Sequence, residues 1–285
     1  MNKKILKSYS KVNLFLNVGK KNKKNKLHDI QSLVSLISIH DKIQIKKISG
    51  SFDKIKFSGK FSKSVDKKNN SVIKCLSLLR KLEIVDKNQY FNVVIKKNIP
   101  VFSGMGGGSS NAATIVKYLN NKKITKKKIF YISKFLGSDF RLFFGSKQLF
   151  QQNINQIQDL KKKFNFYLII VFPFLKSSTK DVYSKVKIFK KIKYSSFYIN
   201  KSKLKIIENL KNEKNFLQKI VVRKYPVIQK ALYELENTKK CEFSRVTGSG
   251  SACFGLFLTK KSAVLGLKKI KKKFPKFWCV IGKTI

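Results

Sequence analysis

The chain has 285 residues, 42% of them hydrophobic, enough for one large or two ordinary domains with real cores. Its 64 basic residues against 14 acidic ones give a net charge of +50, but the lysines are scattered in short runs between apolar segments. Lys, Asn, Ile and Phe are all abundant, and their codons are rich in A and T, so the charge reads as solvated surface rather than as a nucleic-acid site. Cys75, Cys241, Cys253 and Cys279 show no C-x-x-C spacing, and three of them lie in apolar runs where a small buried hydrophobe is the default. With only His28 and His40 as imidazoles, a His/Cys metal centre is not expected. No signal-like or transmembrane stretch is seen, so a cytoplasmic protein with no membrane partner is expected.

From Tyr9 to Val18 apolar and polar residues alternate, which predicts a strand with Val12, Leu14, Leu16 and Val18 on its buried face. Lys11 and Asn13 then project side by side from the other face. A basic loop follows over Gly19–Lys26, and the next stretch, LHDIQSLVSLISIHDKIQI, fits strand and helix equally. Ser71–Leu82 has helical spacing with Ser71 as its cap, and YFNVVIKKNIP reads as a strand. Asn111–Asn120 and KKKIFYISKFLG are helices, the second stopped by Gly137. The Gln/Asn-rich stretch Gln151–Asp159 is the expected domain seam. Beyond it come the strand FYLIIVFP, a helix with Pro226 in its first turn, and a closing strand–helix–strand from SACFGLFL to FWCVIGK.

Only 14 glycines occur in the chain, and four of them fall within Gly104–Gly108. The P-loop pattern fails there because no lysine follows the last glycine, and G-x-G-x-x-G fails because Ser109 occupies its sixth position. The physics behind both patterns survives. A strand enters a loop bare of side chains, so backbone N–H groups can close on phosphate oxygens, and a helix opening at Ser109 adds its positive end. Ser109 and Ser110 supply hydroxyls for a phosphate or for nucleotide-borne Mg²⁺. Lacking a lysine of its own, the cradle must take its cation from elsewhere, and Lys11 is the candidate. Among the few acids, Asp139 in KFLGSDFRLFFG stands out as a group able to orient or deprotonate an acceptor hydroxyl. RVTGSGSACFGLF adds a third glycine turn, which alone reads as a hairpin.

SKVNLFL, GMGGGSSNAAT and TGSGSACFGLF together resemble, in order, the three motifs of the GHMP small-molecule kinase superfamily. LHDIQSL, LGSDFRLFF and SSTKDVY make the resemblance closest to a branch of the non-mevalonate isoprenoid pathway with a cytidylyl diphosphate substrate. The resemblance implies an α+β (α/β two-layer) fold, ribosomal-S5-like over 1–150 and ferredoxin-like over 151–285. It implies transfer of the ATP γ-phosphoryl, assisted by Mg²⁺ without direct protein ligands, to the 2-hydroxyl of a methylerythritol unit. Lys11 and Asp139 fall on the family's catalytic pair, where Lys11 would hold Asp139 ionised and polarise the acceptor. Pro100, Val101, Phe102, Ser103, Gly104, Met105, Gly106, Gly107, Gly108, Ser109 and Ser110 would form the ATP loop. Asn13, His28, Thr179, Tyr183, Gly248 and Gly250 would bind substrate, His28 and Tyr183 at the cytosine. The implied partners are small molecules without a specific nucleic acid, and the implied state is a monomer or weak homodimer.

Three residues depart from the family pattern: Leu27 in place of an aromatic, Arg141 in place of a proline, and Ser103 in place of a glycine. Homoserine and mevalonate kinases are the alternative within the superfamily, and LHDIQSL and SSTKDVY argue against them. A basic nucleic-acid-binding protein is the alternative outside it, distinguished by a steep loss of affinity with salt.

Overall fold

The computed structural model describes residues 4–21, 27–120, 124–190, 192 and 202–285, so part of the expected basic loop lies outside the described residues. The strand expected over Tyr9–Val18 is two strands, β1 (Leu6–Asn13) and β2 (Asn17–Lys21). The alternation is present, but it does not separate core from solvent. Lys11, Asn13 and Asn17 are as deeply buried as Val12 and Val18. The ambiguous stretch is one long strand, β3 (His28–Ile48). β4 (Lys54–Ser58) follows, and then α1 (Ser71–Lys81). The cap of α1 is Asn70 rather than Ser71, its side chain accepting from the backbone N–H groups of Val72 and Ile73.

β5 (Tyr90–Lys96) leads into the glycine loop, and α2 (Gly107–Leu119) begins two residues before the expected Ser109. α3 (Lys126–Leu136) ends at Gly137, and a 3-10 stretch, Ser138–Phe143, carries Asp139. The polar stretch Gln151–Asp159 runs through an antiparallel pair, β6 (Gln148–Gln151) and β7 (Ile157–Asp159). β8 (Tyr167–Phe172), α4 (Thr179–Ser184), α5 (Lys203–Asn212), α6 (Gln218–Lys224) and α7 (Pro226–Glu236) come next. β9 (Phe243–Val246), β10 (Cys253–Phe257), α8 (Lys260–Lys273) and β11 (Trp278–Lys283) close the chain.

The chain divides into two compact units that interleave along the sequence. The first comprises Met1–Ser10, Ile39–Val101 and Gly106–Phe144. In it β5 pairs parallel with β4 and antiparallel with Lys42–Ile48 of β3. Helix α1 packs on α2 and α3, its Val72, Leu76 and Leu79 are buried, and Ile115 and Val116 of α2 are fully buried. The helical spacing read from the sequence thus becomes a core stripe, with each buried Leu or Ile contributing about 2 kcal/mol.

The second unit comprises Lys11–Ser38, Phe102–Met105 and Gly145–Ile285. Its four-stranded sheet, in the order β11-β8-β10-β9, is antiparallel throughout. Ile169 and Val171 of β8 join Ile228, Leu232 and Leu235 of α7 and Ile270 of α8 in one core. Ser32–Ser35 of β3 pair antiparallel with β6. No helix among the described residues is long and apolar enough to cross a membrane.

Candidate active site

The glycine loop is anchored in the first unit by a buried polar network. Lys97, just past β5, donates to the Asp41 carboxylate and, at 3.1 Å, to Asn111 Oδ1. The other Asp41 oxygen accepts the backbone N–H groups of Asn98 (2.7 Å) and Ile99 (2.9 Å), which fixes the corner where the chain turns into the loop. Asn111 Nδ2 donates to Asp41 and to Ser8 Oγ, so α2 is tied to the same carboxylate. Burial pulls the Lys97 ammonium below the usual lysine range, against the opposing pull of Asp41.

At the end of this network, Ser110 donates its hydroxyl to Tyr9 O at 2.6 Å and lies 2.8 Å from Ser8 Oγ. Its single proton is therefore committed, and Ser109, half-buried, is the serine better placed for a ligand. Ser110 N donates to Gly106 O as the first intrahelical bond of α2. The N–H groups of Gly107, Gly108 and Ser109 have no partner within the helix, which is the arrangement that binds anions.

In the second unit the other part of the loop packs on the third glycine turn. A Cβ on Gly104, whose φ is +77°, would lie 2.1 Å from Thr247 O, so only glycine fits. Ala252 N donates to Ser103 O, Ser177 N to Phe102 O and Lys11 N to Met105 O. The turn that reads in the sequence as a hairpin is thus a wall of the loop. Lys11 Nζ donates to Asn13 Oδ1 at 2.5 Å, as the side-by-side reading expects. Asn13 N donates to Thr247 Oγ1, and Asn13 Nδ2 to Ser32 Oγ, so Asn13 is oriented from both sides. A Cβ on Gly248 would lie 3.2 Å from Lys11 Nζ and 2.9 Å from Gly104 O. Lys11, Asn13, Gly104 and Gly248 are therefore one cluster.

The SSTKDVY segment joins this cluster to a second one. Ser177 Oγ donates to Ser249 O, and Thr179 Oγ1 lies 3.0 Å from Ser249 Oγ. Tyr183 follows Thr179 by four residues on α4, hence on the same helix face. Its ring lies 5.7 Å from that of His28. His28 is 6% exposed, its Nδ1 donates to Gly19 O at 3.0 Å, and its Nε2 is buried without a partner. Phe189, which no sequence motif marks, stacks on His28 at 5.4 Å, whereas Leu27 is 49% exposed.

Asp139 is half-buried in the first unit, in the turn that follows Gly137. Two residues on, the Arg141 guanidinium stands 5.2 Å over the Phe130 ring, and burial pulls it below its usual value. Gly250 is held between Val221 and Val246, where a Cβ would come within 2.9 Å of Val221. Asp41, Lys97, Asn111, Thr247, Ser249 and Phe189 are the structural and site residues that motif reading misses. Thr247 and Ser249 do lie inside the quoted TGSGS. Among the described residues no three His, Cys, Asp or Glu side chains gather to hold a metal ion.

Residues 70–141 match the family described as GHMP kinases N terminal domain, and residues 199–276 match GHMP kinases C terminal. The chain is 36% identical over 289 residues to the 4-diphosphocytidyl-2-C-methyl-D-erythritol kinase of Pelagibacter ubique, covering 100% of both sequences. Its fold is similar to a crystal structure of 4-(cytidine 5'-diphospho)-2C-methyl-D-erythritol kinase, with a TM-score of 0.71, 21% identity and coverage of 99% of this chain and 100% of that one. It is also similar to the homoserine kinase of Cytophaga hutchinsonii, with a TM-score of 0.65, 16% identity and coverage of 98% and 95%.

Proposed function

The chain belongs to the GHMP kinase family, and from that membership we propose that it phosphorylates the 2-hydroxyl of 4-diphosphocytidyl-2-C-methyl-D-erythritol with ATP. The observation that carries the choice of acceptor is His28. With Nδ1–H committed to Gly19 O, the Nδ1–H tautomer presents Nε2 as a buried acceptor, and Tyr183 supplies an aromatic face beside it. An exocyclic amine on a flat base, as in cytosine, satisfies both, because an acceptor left unpaired in a buried site is costly. Homoserine and mevalonate carry no such base.

In this reading the N–H groups at the start of α2 hold the β- and γ-phosphates of ATP. Asp139 orients the 2-hydroxyl and takes its proton as the oxygen bonds to the γ-phosphorus. The bond from that phosphorus to the β,γ-bridging oxygen breaks, and ADP leaves with the electron pair. Lys11 supplies the cation that offsets the developing charge, and Asn13 fixes its ammonium. The divalent cation in this reading arrives on the ATP phosphates. When bound on the ATP phosphates, Mg²⁺ would neutralise phosphate charge, and the Ser109 hydroxyl is a protein group in the loop that could help to hold it.

The two family matches fall on either side of residue 150, which supports an ATP-binding domain over 1–150 and a second domain over 151–285. The enzyme is read as cytoplasmic, acting on small molecules without a nucleic-acid partner. The reading is tested with His28→Ala and Tyr183→Ala. Each is expected to raise the KM for the cytidylyl substrate about tenfold, the effect of losing one buried contact, and to leave the KM for ATP unchanged. An unchanged KM for the cytidylyl substrate in both variants contradicts the assignment.

A further inference from the structure

An imidazole that reads a base must present one nitrogen in one direction, and its two side-chain torsions work against that. At His28 three contacts oppose rotation: the bond from Nδ1 to Gly19 O, the Tyr183 ring, and the Phe189 ring. Both rings lie close to parallel with the imidazole, Tyr183 inclined by 35° and Phe189, the nearer in centroid distance at 5.4 Å, by 27°. A stacked partner resists tilting of the ring plane, which is the motion that would turn Nε2 away from a ligand.

Phe189 is itself held from both sides in sequence. Lys190 N donates to Val18 O at 2.8 Å, and Lys190 Nζ bonds to Glu213 Oε2 at 3.1 Å. Upstream, Val186 N donates to Tyr183 O. Ile192 packs on Gly19, whose carbonyl accepts from Nδ1: a Cβ on Gly19 would meet Ile192 Cδ1 at 3.0 Å.

We propose that Phe189 is a positioning residue for acceptor recognition, fixing the plane of the His28 imidazole so that Nε2 faces the substrate base. The inference rests on the reading of the acceptor as a cytidylyl diphosphate. Phe189→Ala frees the ring, while Phe189→Tyr and Phe189→Trp keep a stacking face.

The test compares steady-state kinetics of the full chain and its variants, together with nitrogen NMR of the imidazoles. The chain has only two histidines, so His40 serves as the internal reference. Phe189→Ala is expected to raise the KM for the cytidylyl substrate about three- to tenfold, the worth of one aromatic pair, with kcat and the KM for ATP unchanged. Tyr or Trp at the position restores the KM. In the ligand-free protein the His28 signals report the Nδ1–H tautomer, and in Phe189→Ala they report a mixture. An unchanged KM in Phe189→Ala, a fall in kcat that the aromatic variants fail to rescue, or an unaltered His28 spectrum overturns the proposal. If the unmodified enzyme turns over no cytidylyl substrate, the functional reading fails, while the spectra still decide whether Phe189 holds His28.

Discussion

Among the described residues two glycines close over a buried lysine, and the two ammonium groups donate to side chains of different kinds. In the first unit Lys97 Nζ lies 3.4 Å from the place of a Cβ on Gly107, and in the second Lys11 Nζ lies 3.2 Å from that on Gly248. Lys97 bonds to a carboxylate, Asp41, whose remaining oxygen is filled by two backbone N–H groups. Its charge is balanced inside the protein, and the pair holds the corner of the glycine loop. Lys11 Nζ donates to Asn13 Oδ1, an amide oxygen that orients the ammonium. The same local packing, glycine backbone over ammonium, serves architecture in one unit and, in the function proposed, chemistry in the other.

The comparison breaks most readily at Lys11 and Asp139. Lys11→Met and Asp139→Asn are each expected to lower kcat by about a hundred- to ten-thousandfold, the range for a lost catalytic acid–base or electrostatic group. Asp139→Asn should keep its ATP affinity and its melting temperature. Initial rates and thermal melts read both quantities, and retained turnover in Lys11→Met would erase the contrast.

Lys97→Met should do the opposite, losing about 3–5 kcal/mol of stability because Asp41 is left buried without its cation. Adding Asp41→Leu should return part of that loss, as urea unfolding of the single and double variants would reveal.

A smaller effect ranks the glycines. Gly104→Ala meets Thr247 O at a positive φ and is expected to cost about 1–3 kcal/mol, whereas Gly108→Ala meets only the Ser71 side chain, its nearest atom at 3.2 Å. Gly108→Ala should stay within about 1 kcal/mol of the parent, since alanine also favours the helix it enters. Equal losses in the two melts would show that the close approach of the two turns is not what selects glycine.

Much of this was legible in the residues, and what was not has physical causes. The glycine concentration announced the loop because few other glycines dilute it. The start of α2 was misplaced by two residues because Gly107 and Gly108 have poor helix propensity and look like loop. β3 read ambiguously because both of its faces are largely covered near Gln31–Ile37, which blurs the alternation that separates strand from helix. The Asp41–Lys97 pair was invisible for a different reason. Among 64 basic residues one buried lysine carries no compositional mark, and its partner lies far along the chain. Phe189 likewise meets His28 only through the fold. The motif residues that could be read, Lys11, Asn13 and Gly248, were those whose neighbours in sequence already constrained them.

The most direct measurement is phosphoryl transfer from ATP to three acceptors by one preparation of the enzyme: 4-diphosphocytidyl-2-C-methyl-D-erythritol, homoserine and mevalonate. Coupled detection of ADP gives kcat/KM for each, and phosphorus NMR of the product locates the new phosphomonoester. The account predicts a kcat/KM at least about a hundredfold higher for the cytidylyl acceptor, equivalent to two buried contacts at the base, and a phosphate on its 2-hydroxyl. Equal or faster turnover of homoserine or mevalonate would contradict it.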